Sequence, residues 1–455
     1  MRVHFIAIGG SAMHNLAIAL KKKGYHITGS DDVFFEPSKS RLKDYGLLPA
    51  QEGWDSNKIT REIDAVILGM HAREDNPELQ QAQELGLKIY SYPEYIYEQS
   101  KLKTRVVIGG SHGKTTITSM IMHVLKACNK EFDYLVGAQL EGFETMVKIT
   151  DSAPVIIIEG DEYLASPIDR RPKFHLYKAN IAVLSGIAWD HINVFPTFDN
   201  YVEQFRLFID TIVPGGTIIY SQDDKELKSV IDGTDAVITK IPYTLPEYAL
   251  DNGVTSLLTY NGSIPLLIFG NHNLLNLSSA KEVCNKLGIA DVNFYDAIKT
   301  FKGASRRLEL LGKNDDTIIF KDFAHSPSKL EATIHAVKNQ FPDKQLVAVI
   351  ELHSFSSLNK DFLNEYSGTM NSADEPIVFI DEHTFKLKNM EPYDANVVKA
   401  SFGNTKLKFF NNAEILEEFL SYINYKGKNL LLMSSGNFGG IDLIKLSSKI
   451  LDETS

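Results

Sequence analysis

The stretch GGSHGKTT, Gly109–Thr116, decides how this chain is read. The usual phosphate-loop spacing G-x-x-x-x-G-K-[ST] asks for a glycine five residues before Gly113, and Ile108 stands there instead. What remains, Gly110-Ser111-His112-Gly113-Lys114-Thr115, is a shortened loop. Its flanks support a phosphate reading. The apolar run RVVIGG before it reads as a strand. After it Ile117, Met120, Ile121, Val124, Leu125 and Cys128 recur at helical spacing, which predicts a helix with one buried face. In a strand–loop–helix setting the glycines let backbone N–H groups converge on phosphate oxygens, and the helix N-terminus adds partial positive charge. Lys114 then supplies a point charge to the β- and γ-phosphates and Thr115 a hydroxyl to Mg²⁺. A glycine turn followed by a chance Lys-Thr is the plain alternative, and the flanks argue against it. As the first residue of its helix, Lys114 is expected to face solvent.

Outward from the loop, three blocks alternate short apolar strands with amphipathic helices, the pattern of parallel sheets covered by helices. The α/β blocks are expected over residues 1–102, 103–302 and 303–455. In the second, VIIIEGDEY carries Glu159, Asp161 and Glu162 at the end of a buried-type strand. Carboxylates there are costly to bury without a cation or partner, so a metal role suits these acids. IAVLSGIAWDH brings Asp190 and His191 after another strand of the same block. The first block opens VHFIAIGGSAM, with Gly9 and Gly10 at a predicted helix start and Asp31 about twenty residues on, which invites a dinucleotide reading. Ala7 and Ala12 occupy the first and last glycine positions of that fingerprint. The glycine pair suits a diphosphate in general, and a nicotinamide oxidoreductase would leave the loop at 110–115 unexplained.

Composition sets the outer bounds. The chain has 455 residues, 44% of them hydrophobic and 23% charged, as in an ordinary globular protein of several domains. A formal charge of −11 argues against broad nucleic-acid binding. Two cysteines are too few for a disulfide framework and lead us to expect a cytoplasmic protein. No apolar run approaches the length of a membrane span.

Taken together, these residues resemble the Mur ligase family, and the resemblance extends over nearly the whole chain. The family's loop G-T-[HN]-G-K-T-T is similar to Gly110–Thr116, so the shortened form is normal there, with Ser111 in place of Thr. The resemblance implies three domains: a Rossmann-like N-terminal domain, a phosphate-loop central ATPase domain and a Rossmann-like C-terminal domain. It implies ATP and Mg²⁺ as cofactors. ATP would be held by Gly110, Ser111, His112, Gly113, Lys114, Thr115 and Thr116. Asn273 and Asn276 of HNLLN, Arg307 of SRRLE and Asp322 of DFAHSP would complete its site. Metal would fall to Thr115, Glu159 and His191, and catalysis to Lys114, His191 and Arg307. No carbamylated lysine is assigned.

Within the family, AIGGSAM resembles the opening motif of the branch that binds UDP-N-acetylmuramate. This implies a UDP-sugar site at Gly9, Gly10, Ser11, Met13, Ser30 and Asp31. The partner would be an amino acid or small peptide. IDRRPKFHLY and MSSGNFGG resemble the branch that adds the tripeptide L-Ala-γ-D-Glu-meso-diaminopimelate, and Arg170, Arg171 and Lys173 are candidates to attract its carboxylates. One departure from the tripeptide branch matters: its E-P-R-S-N-T is here ELHSFSS, Glu351–Ser357, where His353 stands near the missing arginine. L-Alanine is the alternative acceptor, and a non-catalytic protein binding ATP or UDP-sugar is the alternative class.

Overall fold

The computed structural model describes residues 1–304, 307–388 and 390–453. Its contacts divide the chain into two units. The first comprises residues 1–187, 199–244 and 279–297; the second comprises 188–198, 245–278 and the chain from Ile298 on.

The first unit contains two sheets. Strands β1 (Arg2–Ile6), β2 (His26–Ser30), β3 (Ala65–Leu68) and β4 (Ile89–Ser91) form a parallel sheet in the order β2-β1-β3-β4. The larger sheet holds β5 (Thr104–Gly109), β6 (Asp133–Leu135), β7 (Val147–Lys148), β8 (Val155–Glu159), β9 (Ile181–Leu184), β10 (Thr217–Ser221) and β11 (Thr239–Tyr243). Its order is β11-β10-β9-β5-β8-β6-β7, with β7 antiparallel to its neighbour. β5 therefore lies between β8 and β9, with Ile108 level with Glu159 and with Val183. That register brings the ends of three strands beside the loop that follows β5. The buried runs VVI of β5 and III of β8 explain why these strands are central: both faces are covered.

The helix Lys114–Ala127 seats the loop. Ile117, Met120, Ile121, Val124 and Leu125 are buried, as their spacing predicts. Thr115, Thr116, Thr118, Ser119 and Met122 are buried too, so the helix is covered on more than one face, and Cys128 is only half-buried. Each such apolar side chain contributes roughly 1.5–3 kcal/mol relative to exposure. The residue before the helix, Gly113, has φ +73° and makes no side-chain cap, so the first-turn N–H groups are left to another acceptor.

The second unit contains an antiparallel sheet of β12 (Tyr248–Asp251), β13 (Val254–Thr259) and β14 (Gly262–Pro265). Its remaining strands are β15 (Glu309–Lys313), β16 (Ile318–Asp322), β17 (Gln345–Glu351), β18 (Glu375–Phe379), β19 (Lys408–Phe410) and β20 (Lys428–Met433), in the order β15-β16-β20-β17-β18-β19. β15 runs antiparallel to β16, and the other pairs are parallel. Separate apolar clusters cover the two faces, one around Leu330, Ile334 and Phe402, the other around Leu416, Leu420 and Ile450. The three-stranded antiparallel sheet is the element the alternating α/β reading did not anticipate.

Candidate active site

The phosphate loop is pinned from both neighbouring strands. Ser111 N–H donates to Gly186 O at 3.0 Å, and Ser185 Oγ donates to His112 O. Gly110 sits at φ +119°, and a Cβ there would come 2.7 Å from Ser185 N, so only glycine fits. Thr115 Oγ donates to Glu159 Oε1 at 2.8 Å, while Gly137 N–H donates to Glu159 Oε2 at 2.7 Å. Lys114 Nζ donates to Glu162 Oε2 at 2.6 Å and to Gly110 O at 2.7 Å. The expectation of a solvent-facing lysine is corrected here: its side chain is only 16% exposed. Burial works against its charge, yet Glu162, then Asp161 and Glu159, hold its pKa above the ordinary lysine value.

A cavity of about 470 Å³ opens beside this loop. Lys114, Glu159 and Asp161 line it from the larger sheet, and Gly10, Ser11 and Met13 from the smaller. Met70 and His71, after β3, also line it and were not anticipated. Gly9 N–H donates to Asp31 Oδ2 at 2.6 Å. Burial, and then Asp32, push the Asp31 carboxyl up to about 6. Ser30 is buried and accepts from Lys58 Nζ at 2.9 Å.

The basic segment after Glu162 is not a free cluster of cations. Arg171 pairs with Asp169 at 2.6 Å and with Glu94 at 3.3 Å, and Lys173 pairs with Asp161 at 2.6 Å. These acids already pair two of the three cations expected to attract substrate carboxylates, Arg171 and Lys173 but not Arg170. Arg171 in particular is drawn back along its own turn by Asp169.

In the second unit, His191 holds a left-handed backbone at φ +56°, and its N–H donates to Asp190 Oδ1 at 2.8 Å. Asp190 is buried, which opposes ionisation, but Lys329 at 3.5 Å and then His191 and His325 hold its pKa well below the carboxylate range. Asn273 and Asn276 are buried, and Asn273 Nδ2 donates to Phe269 O at 3.0 Å. Asp322 accepts from Leu308 N–H at 2.7 Å and Ala324 N–H at 2.6 Å, so it braces the segment carrying Arg307. The Arg307 guanidinium lies 4.7 Å from the Phe323 ring centre.

At the carboxyl ends of β17 and β20, Glu351 is buried and accepts from Ser434 Oγ and, at 2.8 Å, from Phe438 N–H. His353 stands beside it, its Nδ1 without a hydrogen-bond partner among the described residues. Lys388 Nζ donates to His353 O. No arginine follows Arg307 in the chain.

Two hard oxygen-bearing groups suited to magnesium meet at the loop, the Thr115 hydroxyl and the Glu159 carboxylate in contact, while Asp161 on the cavity wall is paired with Lys173. Among the described residues no group of three or more His, Cys, Asp or Glu forms a protein-only metal cage. A two-ligand site fits an ion that keeps waters and takes the rest of its shell from phosphate.

Fold and site together define a phosphate-loop protein in which a nucleotide-type cavity and a loop lysine are built into one unit. Residues 2–104 match the Mur ligase family catalytic domain, 108–284 the Mur ligase middle domain and 306–436 the Mur ligase glutamate ligase domain. A UDP-N-acetylmuramate–L-alanine ligase of Caldicellulosiruptor bescii is 31% identical over 402 residues, covering 85% of each chain. The UDP-N-acetylmuramate–L-alanyl-γ-D-glutamyl-meso-2,6-diaminoheptandioate ligase of Escherichia coli is 26% identical, covering 97% of this chain and 96% of that one. The solved UDP-N-acetylmuramate–alanine ligase of Thermotoga maritima superposes with a TM-score of 0.69 at 20% identity, over 100% of this chain and 99% of that one. The chain belongs to the Mur ligase family, with its three-domain α/β architecture. It is therefore an ATP-dependent ligase of peptidoglycan synthesis that forms an amide bond.

Proposed function

We propose that the enzyme joins the carboxyl group of UDP-N-acetylmuramate to the amino group of L-Ala-γ-D-Glu-meso-diaminopimelate, in the cytoplasm and in peptidoglycan recycling. The observation that carries the first half is the shared cavity: the Gly10–Met13 segment and Lys114 line the same space. A sugar carboxylate anchored by its diphosphate at the first loop then lies beside the phosphoryl donor at the second. The proposed domains are residues 1–102 for the UDP-sugar, 103–302 for ATP and 303–455 for the amino substrate.

The chemistry follows from charge. A carboxylate does not condense with an amine at neutral pH, because oxide is too poor a leaving group. Its oxygen attacks the γ-phosphorus and ADP departs. The amine then attacks the acyl carbon, loses a proton and expels inorganic phosphate. Lys114 neutralises charge on the β- and γ-phosphates, and the loop N–H groups from Gly110 to Thr116 fix their position. Thr115, Glu159 and His191 would hold Mg²⁺, which offsets phosphate charge when bound. Arg307 reaches the transferring group on domain closure, and Asn273, Asn276 and Asp322 seat the adenosine.

The tripeptide reading is supported by the likeness of IDRRPKFHLY and MSSGNFGG to that branch. The loss of that branch's E-P-R-S arginine, with His353 standing near its place, counts against it. Lys388 and His353 are the groups proposed to meet the peptide's carboxylates. Arg171 and Lys173 would have to exchange an acid partner to take that role, and Arg170 remains a candidate for it. One observation favours the L-alanine reading: the 31% identical relative is an L-alanine ligase. Side-by-side kcat/KM values with both acceptors decide between them. The tripeptide is expected to win by about tenfold, the worth of one charge-assisted contact. A tenfold preference for L-alanine would assign the enzyme to the other branch.

A further inference from the structure

We propose that Tyr201 is a positioning residue of the phosphate loop, holding Glu162 so that Glu162 in turn holds Lys114. The proposal rests on the reading of that loop as the phosphoryl-transfer site. Tyr201 lies on the helix Phe198–Asp210, is fully buried, and packs edge-on against Phe205 with ring centres 5.2 Å apart. Its hydroxyl is 3.2 Å from Glu162 Oε1 and 2.9 Å from Ser111 Oγ. Glu162 is itself 1% exposed, and its other oxygen takes Lys114 Nζ at 2.6 Å.

The direction of each bond in this chain is fixed by chemistry. A carboxylate paired with an ammonium only accepts, so the Tyr201 hydroxyl donates to Glu162. Its oxygen is then left to accept, and Ser111 Oγ–H donates to it. The lysine closes the circuit by donating to Gly110 O. Five groups, beginning and ending on the loop, thus brace one another, and Tyr201 is the member that reaches in from a different helix. A lysine stem has four rotatable carbons, and its ammonium stays where its partner keeps it. With one Glu162 oxygen on Tyr201 and the other on Lys114, the carboxylate plane cannot turn freely. Removing the tyrosine hydroxyl takes away the bond it donates to Oε1 and loosens the carboxylate's orientation toward Lys114.

Tyr201→Phe keeps the ring and its contact with Phe205 while deleting the hydroxyl. We expect kcat to fall about tenfold, since small misplacements of a charge at the reacting phosphate are costly. The KM for the UDP-linked carboxylate should stay within about twofold and the melting temperature within about 2 °C. Because the effect runs through Glu162, Tyr201→Phe added to Glu162→Gln should cost no more than Glu162→Gln alone. A folded Tyr201→Phe enzyme with wild-type kcat, or losses that multiply in the double variant, overturns the proposal. If the phenylalanine variant does not fold, Ser111→Ala is read in its place. Its loss, about threefold, should vanish in the Glu162→Gln background, and an undiminished loss there overturns the proposal. Failure of the loop reading itself shows elsewhere, as full activity in Lys114→Ala.

Discussion

At Gly9–Gly10 and again at Gly110–Gly113 the chain runs from a parallel strand through glycines into a helix whose first turn carries no acid and no side-chain cap. The backbone device is the same, and the charges set on it are opposite. The first loop has given an N–H to a buried carboxylate, Asp31, and holds no lysine. The second carries Lys114, surrounded by Glu162, Asp161 and Glu159. A helix N-terminus attracts an anion in either place, but only the second can follow charge as it moves between phosphate oxygens. On the proposed function, binding belongs to the first loop and phosphoryl transfer to the second.

The largest expected effect separates the two. Lys114→Ala should reduce ligation by about a hundredfold or more while leaving UDP-N-acetylmuramate affinity intact, because one positioned charge on a transferring group is worth that much. Steady-state rates and calorimetric titration of the same preparation check both halves. Arg307→Ala comes next: a loss of turnover of roughly ten- to a hundredfold, again without loss of UDP-sugar affinity. A large drop in that affinity would move Arg307 to the first loop's ligand.

Glycine substitutions sharpen the comparison at the level of the backbone. In Gly110→Ala the new Cβ meets main-chain nitrogen of Ser185 at 2.7 Å with φ at +119°, and neither can yield cheaply. About 1–3 kcal/mol of stability should go with it, together with nucleotide binding. In Gly9→Ala the contacts are side-chain atoms, Asp31 Oδ2 at 2.8 Å and Phe34 Cδ1 at 3.2 Å, and no positive φ adds strain. Thermal denaturation should find the second variant closer to wild type than the first.

The smallest effect is in pH. Asp31 titrates near pH 6, held up by burial, so above that pH it is ionised beside the first loop and below it is neutral. A diphosphate meets less repulsion when Asp31 is protonated, so UDP-N-acetylmuramate should bind a few-fold more tightly at pH 5.5 than at pH 7.5. Asp31→Asn should flatten the dependence. Affinity that weakens on acidification would contradict the assignment.

Much of this was legible because it is periodic or local. The stripe from Ile117 to Leu125 announces its helix, the runs VVI and III announce central strands, and Gly113-Lys114-Thr115 sits on contiguous backbone. The small antiparallel sheet was not read, because its strands are largely exposed on both faces and show no clean alternation. A signal was present in Asn252-Gly253, both at positive φ, and in Asn261-Gly262, the dipeptides that favour tight hairpins. The bracing of Lys114 was hidden for another reason. Glu162 is visible as an acid after a strand, but Tyr201 follows 39 residues later on a separate helix, and only folding brings its hydroxyl there. The pairing of Arg171 with Asp169 was in principle local, two residues apart, and the basic residues were read without their acidic neighbour.

In the proposed mechanism a carboxylate oxygen takes the γ-phosphoryl group and leaves with it as phosphate. UDP-N-acetylmuramate labelled with ¹⁸O in its carboxyl group tests it in one experiment, by mass analysis of the phosphate released during amide formation from ATP. The account predicts one labelled oxygen in each phosphate, because the oxygen that attacked phosphorus leaves with it. Unlabelled phosphate, released at the rate of ligation, would contradict it.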